Sequence, residues 1–385
     1  MAVRKRFWIT SEGTRQSSWQ VTYRNREGKR RSSQFVLKRD ADAFELKVRK
    51  ELALGTHTAA TDSITVAEAA DQWIAKSQIH NLERSTVNSY ERIARLHVLP
   101  FLGGYRLTQL NGPMLQSYLD KLLVSRSPAM AIKAISTLSM IVAEAQRRGQ
   151  IAQNVALGVK VGRSKRQKKQ VEIPTADELK RMLAVASQTE RPFIITMITT
   201  GLRISEMRGI MWADIDLTAG RLTVTQRADE WGDIGAPKSD LGKRTIPLAP
   251  ELIAELKEWK LRCPMSELDL VFPNSRGGAQ LNGNLLKRMF KPLQIRAAVT
   301  KPVLIEGRTA VDDEGHAVVT GKYGFHALRH AAASNWIAAK IDLKRLQVWI
   351  GHSSIQITLD TYGHLICDND KDAELALSSS RALFA

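Results

Sequence analysis

Cysteine is nearly absent from this chain of 385 residues, and so are long apolar runs. Cys263 and Cys367 are the only two cysteines, which excludes a disulfide framework and a cysteine-based zinc site. No run approaches the roughly 18 uninterrupted apolar residues of a membrane span. The apolar stretch behind the basic N-terminus is too short for a signal peptide. We therefore expect a cytoplasmic protein that has no membrane partner.

Acidic residues are also in short supply. Only 39 Asp and Glu oppose 57 Lys and Arg, which gives a formal net charge of +18 and a pI near 10.0. A basic excess of this size favours a polyanionic partner, because each cation that meets a phosphate releases condensed counterions. The apolar share of 43% is enough for packed cores. The length favours two or three domains, so we expect a multidomain protein that binds nucleic acid.

Residues 1–55 form the first expected domain. Short aromatic and β-branched runs predict three strands, at residues 7–9, 19–23 and 34–37. Helical spacing follows over residues 40–52, with Asp40 as the N-cap. The basic segment between the second and third runs contains Asn25 and Gly28, which suit a hairpin turn. The first 60 residues hold 14 Lys and Arg against 6 Asp and Glu. The cations expected to contact DNA here are Arg24, Lys29, Arg30 and Arg31.

Residues 64–157 predict an all-helical domain. Thr65 and Glu68 fit a capping box at its first helix. Ser85 is expected to cap the second helix, which Pro100 is expected to end. Two further helices are expected, over residues 107–122 and 128–149.

A basic segment follows the helical domain and marks a domain boundary. Residues 158–170 contain six basic residues and no acidic one. Such a run is usually a solvated linker. Between two DNA-binding domains it can also follow the phosphate backbone, for example through Lys165 and Arg166, and both interpretations can hold together.

Residues 172–385 form the largest expected domain. Thr175 and Glu178 fit a second capping box, and residues 221–225 and 244–248 predict strands. We treat residues 300–324 as an insertion. The predicted fold class is α+β and mostly helical: a small N-terminal three-stranded sheet plus a helix, a helical domain, and a mixed α+β domain.

Reactive side chains recur in the mixed domain at Arg203, at His326-Ala-Leu-Arg329, at Gly351-His352 and at Tyr362. Guanidinium groups can grip the non-bridging oxygens of a phosphodiester, imidazoles can donate to those oxygens or move protons, and a phenol can attack phosphorus. His326 and Arg329 are one helical turn apart and share a face. Leu328 is expected in the core. His330 is expected to face another direction as a structural residue.

This order of an arginine, His-x-x-Arg, Gly-His and a tyrosine resembles the tyrosine recombinase, or phage integrase, family. The resemblance implies that Tyr362 attacks the scissile phosphate of duplex DNA, leaving a 3′-phosphotyrosyl link and a free 5′-hydroxyl. Arg203 and Arg329 are implied to clamp the phosphoryl oxygens, and His326 and His352 to hydrogen-bond and shuttle protons. No cofactor and no metal is implied.

The same resemblance assigns two further residues. Glu206 matches an acidic position that orients the catalytic groups. Lys238 matches the lysine that protonates the leaving 5′-oxygen from a turn between two strands. Lys243 is the alternative, and Lys238 is preferred because Pro-Lys-Ser ahead of the turn matches better.

The implied function is a site-specific DNA recombinase, or integrase, of a phage or other mobile element. Residues 1–55 resemble an arm-type DNA-binding domain, residues 64–157 a helical core-binding (SAM-like) domain, and residues 172–385 the catalytic domain. The implied partners are double-stranded DNA at core and arm attachment sites and three further copies in a homotetramer. The implied location is the bacterial nucleoid. The resemblance leaves room for an excisionase and a DNA-bending host factor.

Two other functions remain open from the sequence. A type IB topoisomerase-like relaxase shares the chemistry but needs neither synapsis nor an arm domain. A DNA-binding regulator could keep the fold in an inert form, although the complete set of reactive residues argues against inertness.

Overall fold

The computed structural model describes residues 1–25, 28–55, 57, 59, 62–80, 82–162, 171–237, 242–305, 307–366 and 380. The chain divides into two compact units, Met1–Lys165 and Arg166–Ala385. Each unit contains its own main hydrophobic core. The fold is α+β and mostly helical, as the sequence predicts.

An antiparallel sheet and one helix form the start of the first unit. The strands are β1 (Ala2–Ile9), β2 (Arg15–Arg24) and β3 (Arg30–Phe35), in the order β1-β2-β3. Helix α1 (Lys38–Ala53) follows. Val21 of β2 and Val48 of α1 are almost completely buried. The three strands and the helix are therefore those expected, although each of them begins earlier in the chain than predicted.

The third strand and the helix cap were predicted wrongly in detail. β3 begins at Arg30, where Arg24 pairs with it across the hairpin. Pairing with β2 extends the strand down to the turn, whatever the β-propensity of its residues. Asp40 is not the N-cap, because α1 begins at Lys38. Asp40 lies in the first helical turn, where its charge is favourable to the helix dipole.

The rest of the first unit is helical. Thr65 and Glu68 form the predicted capping box: the Thr65 Oγ1 accepts from the Glu68 amide at 3.2 Å, and the Glu68 carboxylate accepts from the Thr65 amide at 2.7 Å. The helices are α2 (Val66–Ile79), α3 (Arg84–Ile93), α4 (Leu99–Leu102), α5 (Gly112–Ser125) and α6 (Pro128–Arg147). Their apolar faces form one core, which includes Leu107, Leu115, Leu119, Leu138 and Ile141.

Pro100 does not end the second helix of this domain, contrary to the prediction. The helical path continues from α3 through a π-helical turn, Ala94–Val98, into α4. In that turn the Leu99 amide donates to the Ala94 carbonyl. The wider turn relieves the clash that a proline ring makes with the carbonyl four residues earlier.

Two other helix starts also differ from the prediction. Glu83, not Ser85, is the N-cap of α3, and it makes no side-chain capping bond. The expected helix over 107–122 is divided into a 3₁₀ turn, Leu107–Gln109, and α5. The Asn111 side chain accepts from the Met114 amide and starts α5 afresh.

Helix α6 has the length and hydropathy of a membrane span, and no other helix among the described residues does. Its sequence is not an uninterrupted apolar run, because Lys133 and Glu144 lie within it. Half of its most apolar window is buried within the protein. Ala134, Leu138 and Ile141 lie in the core of the first unit, so α6 is a core helix of this domain.

The second unit mixes short strands with helices. Its strands are β4 (Ile215–Asp216), β5 (Arg221–Val224), β6 (Arg227–Ala228), β7 (Ile234–Gly235), β8 (Arg244–Pro247), β9 (Thr300–Pro302), β10 (Leu304–Ile305), β11 (Arg308–Thr309) and β12 (Val319–Gly321). Its helices are α7 (Ala176–Val185), α8 (Glu190–Thr200), α9 (Ile204–Met207), α10 (Pro250–Arg262), α11 (Asn282–Asn284), α12 (Lys291–Arg296), α13 (Phe325–Ala338), α14 (Leu343–Ile350) and α15 (Ile355–Ile366). A π-helical stretch, Leu285–Phe290, joins α11 to α12.

The main core of this unit includes residues from both its strands and its helices. β4, β5 and β8 form an antiparallel sheet in the order β4-β5-β8, and Leu222 and Ile246 face each other across it in the core. Phe193 of α8 packs edge-on to Phe272 and against Phe325 at the start of α13. This packing fixes the first turn of α13, where the motif residue His326 lies.

The segment 300–324 holds two small antiparallel pairs, β9 with β12 and β10 with β11. The sequence Asp312–Gly315 forms the turn of this segment, with its amides bonded to the Asp312 carbonyl and carboxylate. The segment leads directly to α13.

Candidate active site

The first arginine motif begins where helix α8 ends. Gly201 ends α8 in the left-handed conformation at φ +60°. A Cβ there would lie 3.2 Å from Trp336 and 3.3 Å from Ala332, so only glycine suits both the conformation and the packing. The chain then extends through Arg203, which is the N-cap of α9. The local sequence Thr-Gly-Leu-Arg therefore places Arg203 in the sharp turn between α8 and α9.

Arg203 joins two of the predicted motifs. Its Nη1 donates to the Glu206 carboxylate at 2.8 Å, and its Nη2 donates to the Gly351 carbonyl at 2.8 Å. The side chain keeps 39% of its surface exposed. A partly exposed guanidinium that is fixed by hydrogen bonds to the protein can still bind an incoming anion.

Glu206 is a buried carboxylate between two arginines. It exposes 3% of its side chain and also pairs with Arg244, whose guanidinium contacts both carboxylate oxygens at 2.8 and 3.0 Å. Burial raises the pKa of Glu206, but hydrogen bonds and charge from Arg244, with charge from Arg203, outweigh it and hold the pKa at about 2. The carboxylate therefore stays ionised and orients both guanidinium groups.

Arg244 is a site residue that the sequence analysis missed. Besides Glu206, its Nε donates to the Trp349 carbonyl at 2.7 Å, and its side chain is 2% exposed. The one signal in the sequence is its place in the strand. Arg244 lies two positions before Ile246, so both side chains lie on the buried face of β8. An arginine at an inward position requires a buried acidic partner.

Arg329 lies almost fully buried on α13, with 1% of its surface exposed. It donates to the carbonyls of Gly201, at 2.7 Å, and Ile350. Burial, with repulsion from Arg203, lowers the pKa of Arg329 to about 9, so it remains protonated at neutral pH. Leu328 beside it lies in the core, as expected.

His326 and His352 lie on different segments near these arginines. His326 is exposed on the first turn of α13, and partial burial followed by the charges of Arg329 and Arg203 lowers its pKa. Gly351 ends α14 at φ +69°, and the next residue, His352, bonds through Nδ1 to the Thr358 hydroxyl at 3.0 Å. Burial and the same two arginines lower the pKa of His352 to about 4. Both imidazoles are therefore neutral at pH 7.

Tyr362 is buried on α15, with 1% of its surface exposed. Its hydroxyl lies 2.8 Å from Nδ1 of His330, and its ring stacks parallel to His352 at a centroid distance of 6.3 Å. Burial raises the pKa of Tyr362 to about 12, against the charge of Arg329. The expectation that His330 faces away from the reactive residues is wrong, since it contacts both Tyr362 and His326.

The DNA-contact residues expected outside this site have varied surroundings. Arg24, Lys29 and Arg30 are exposed around the β2–β3 hairpin. Arg31 forms an ion pair with Asp62 at 2.6 Å, which occupies part of its guanidinium. Lys165, Arg166 and Lys238 lie outside the described residues. Lys243, the alternative to Lys238, is exposed just before β8.

A metal site is not formed by the part of the chain that the structure describes: no three His, Cys, Asp or Glu side chains in it are grouped to hold an ion. Three arginines, Arg203, Arg244 and Arg329, surround the motif residues against one carboxylate, that of Glu206. Such a site suits an anion directly.

Two families of known proteins match the sequence. "Phage integrase family" matches residues 173–367, about half of the chain, and "Phage integrase, N-terminal SAM-like domain" matches residues 65–123. Tyrosine recombinase XerC of Xanthomonas axonopodis pv. citri is 27% identical over 224 residues, which are 57% of this chain and 62% of the relative. This match thus spans less than two thirds of that relative. XerC of Xanthomonas campestris pv. campestris is 24% identical over 80% of this chain and 88% of its own length.

Solved structures share the fold. The Tn1549 transposon integrase in complex with transposon right end DNA has a TM-score of 0.63 at 21% identity, over 84% of this chain and all of that one. A lambda integrase dimer bound to a COC′ core site has a TM-score of 0.58 at 19% identity, over 95% of both chains. A lambda integrase tetramer bound to a Holliday junction also has 0.58 at 19% identity, over 90% of this chain and 92% of that one.

Proposed function

The chain belongs to the phage integrase family of tyrosine-type site-specific recombinases, and we propose that it cuts and rejoins duplex DNA through a phosphotyrosyl link to Tyr362. The observation that supports this most is the convergence of three segments that are distant in the sequence. The carbonyls of Gly201, Ile350 and Gly351 accept hydrogen bonds from Arg329 and Arg203. These bonds hold both predicted phosphate-binding arginines beside the turn that leads to His352.

In the proposed reaction the Tyr362 oxygen attacks the scissile phosphorus, and the bond to the 5′-oxygen breaks. The two arginines offset the charge that develops on the phosphoryl oxygens. Arg203 acts through its partly exposed side chain, and buried Arg329 acts through its fixed positive charge. Lys238 is proposed to protonate the leaving oxygen. Attack by a 5′-hydroxyl of a second strand reverses these bonds and rejoins the DNA without another energy source.

Glu206 and Arg244 are proposed as positioning residues. Glu206 fixes the Arg203 guanidinium through their ion pair. Arg244 bonds both to Glu206 and to the Trp349 carbonyl, and so connects this pair to the Gly351-His352 turn. A salt bridge that is fully buried in this way fixes geometry more than it adds stability.

The DNA-binding parts are proposed from charge and position. We assign residues 1–55 to arm-site binding, 64–157 to core-site binding and 172–385 to catalysis. Exposed Arg24, Lys29 and Arg30 at one hairpin support the first assignment. By analogy with the DNA-bound integrases of similar fold, we propose a homotetramer on DNA at the bacterial nucleoid and a role in integrating or excising a mobile element. An excisionase and a DNA-bending host factor are further proposed partners.

The decisive experiment is covalent capture on nicked DNA. A core site is first selected from a random duplex library by binding to the full chain, and a nicked form traps the cleaved strand. We expect a covalent adduct with the wild-type chain and none with Tyr362→Phe, which keeps the ring but lacks the nucleophile. Two such sites on one plasmid should then recombine.

Other outcomes support the other functions. An adduct accompanied only by relaxation of supercoiled plasmid indicates a topoisomerase-like relaxase. DNA binding with no adduct at all indicates a regulator with an inert fold, and contradicts the proposal.

A further inference from the structure

His330 lies between an exposed histidine and the buried tyrosine. Its Nδ1 is 2.8 Å from the Tyr362 hydroxyl. Its ring meets His326 edge-to-face at a centroid distance of 4.5 Å and Tyr362 at 5.6 Å. The three rings therefore form a continuous row from α15 to the exposed first turn of α13, where the motif residue His326 lies.

The surroundings keep His330 neutral. Among the side chains that the structure describes, the ionisable groups that face it are His326 and Arg329 on its own helix, with Tyr362 on α15 and His352 on the turn after α14. Burial, followed by the influence of His326 and Arg329, lowers the pKa of His330 to about 4. A neutral imidazole has one nitrogen with a free lone pair and one that carries a proton.

The direction of the hydrogen bond follows from the two groups. A phenol is a better donor than acceptor, and an unprotonated imidazole nitrogen is a strong acceptor. The Tyr362 hydroxyl therefore donates to Nδ1, which leaves the proton of His330 on Nε2. The hydroxyl hydrogen therefore points toward His330. This leaves the phenolic lone pair free for attack on phosphorus.

We propose that His330 orients the Tyr362 hydroxyl and accepts its proton as the oxygen bonds to phosphorus; this rests on the function proposed above. In this step the phenolic O–H breaks, the O–P bond forms, the P–O5′ bond breaks, and Nδ1 takes the proton to give an imidazolium. The leaving 5′-oxygen takes a different proton from the general acid. On rejoining, the imidazolium returns its proton to the tyrosine oxygen.

Arrival of DNA favours this transfer. The phosphodiester brings negative charge to Arg203 and to exposed His326, and so offsets the cationic field around His330. An opposite charge nearby favours the protonated form of an imidazole. Proton uptake by His330 therefore becomes easier only when the substrate is in place.

The test compares single-turnover cleavage of the nicked core site by three variants of the full chain. His330→Ala removes the acceptor, and we expect cleavage to slow by about 10²-fold, as for loss of a positioned proton acceptor. His330→Asn places an amide oxygen near the position of Nδ1, so it should recover part of the orientation but none of the pH dependence of proton uptake. His316→Asn, on an exposed histidine with 75% of its side chain accessible, is the matched control.

The readouts separate this role from simple packing. All variants should bind the uncleaved site with wild-type affinity, which also verifies their folding. In the DNA-free chain, the ¹⁵N shifts of His330 should report a proton on Nε2 and a bare Nδ1. A proton on Nδ1 overturns the proposal.

The failures of the two proposals can be told apart. No adduct with the wild-type chain overturns the function itself. An adduct with the wild-type chain, together with unchanged cleavage by His330→Ala, overturns only the role of His330. Faster cleavage by His330→Ala also overturns it, because the bond would then restrain the tyrosine in the resting chain.

Discussion

The two halves of the candidate site are held by different forces. In the arginine half, Arg203, Glu206 and Arg244 form buried or half-buried ion pairs with distances of 2.8–3.0 Å, and these also reach backbone carbonyls. In the nucleophile half, Tyr362 is held by one hydrogen bond between neutral groups and by ring packing. Ion pairs hold the first half, whereas burial and hydrogen bonds between neutral groups hold the second.

This difference matches what each half has to do. The arginines must present a fixed charge to a phosphate, and a preformed array costs no reorganisation during the reaction. The tyrosine must move its oxygen onto phosphorus and back again. A neutral hydrogen bond has a net worth of about 1 kcal/mol, which allows that movement. The proposed chemistry therefore needs a rigid half and an adjustable one.

Removing Arg244 should produce the largest effect, because it breaks the rigid half. Arg244→Met leaves Glu206 buried with Arg203 as its remaining partner. We expect the free energy of unfolding to fall by about 3 kcal/mol, as for other buried pairs that lose one member. Urea unfolding of the full chain, followed by tryptophan fluorescence, measures the change.

The double variant Arg244→Met/Glu206→Leu provides the control for this prediction. It removes the uncompensated carboxylate together with its partner, so it should be more stable than Arg244→Met alone. Both variants should cleave DNA poorly, because Arg203 loses its carboxylate partner in the double variant, and in the single variant that partner, Glu206, loses the arginine that fixes it. Equal stability of the single variant and the wild-type chain contradicts the view that charge holds this half.

Local signals made part of this structure predictable. Both capping boxes, Thr65 with Glu68 and Thr175 with Glu178, need only residues three apart, and both are present. The turn at Gly201 has a local signal of the same kind, since a glycine between a helix and an arginine suits a left-handed helix end.

Contacts between distant residues were not predictable from the sequence. Glu206 and Arg244 are separated by 38 positions, and the sequence around either residue does not indicate that the other is its partner. The direction of His330 on its own helix predicts a structural residue, but its partner Tyr362 lies 32 positions away on α15. Pro100 predicts a helix end, because the π-helical turn that precedes it has no local signature in the sequence.

Acid should weaken the two halves in different pH ranges. His330 and His352 have folded pKa values of about 4, below the ordinary 6.5. Protonation then favours the unfolded chain, so their contribution is complete above pH 6.5 and is lost as the pH falls toward 4. Glu206 has a folded pKa of about 2, below the ordinary 4.5. Its contribution is complete above pH 4.5 and is lost between 4.5 and 2.

The melting temperature as a function of pH tests this separation. Between pH 6.5 and 4 the wild-type chain should lose stability more steeply than His330→Asn, which has no imidazole to protonate. The exposed control His316→Asn should follow the wild-type curve. Identical slopes for His330→Asn and the wild-type chain would show that His330 is not held neutral in the folded protein.

Gly351 lies where the two halves meet, and its substitution should have the smallest effect of the three. A Cβ at this position lies 3.0 Å from the Arg244 guanidinium, which Glu206 holds in place, and the residue has φ +69°. Gly351→Ala should therefore cost about 2 kcal/mol, from the left-handed conformation and the contact together. Gly315→Ala has a similar φ of +82° but open space around its Cβ, so it measures the conformational part alone, about 1 kcal/mol. The difference between the two values, from urea unfolding, reports how rigidly Arg244 is held. If the two substitutions lower the free energy of unfolding equally, the Arg244 guanidinium moves to make room for the Cβ. The arginine half is then as adjustable as the nucleophile half.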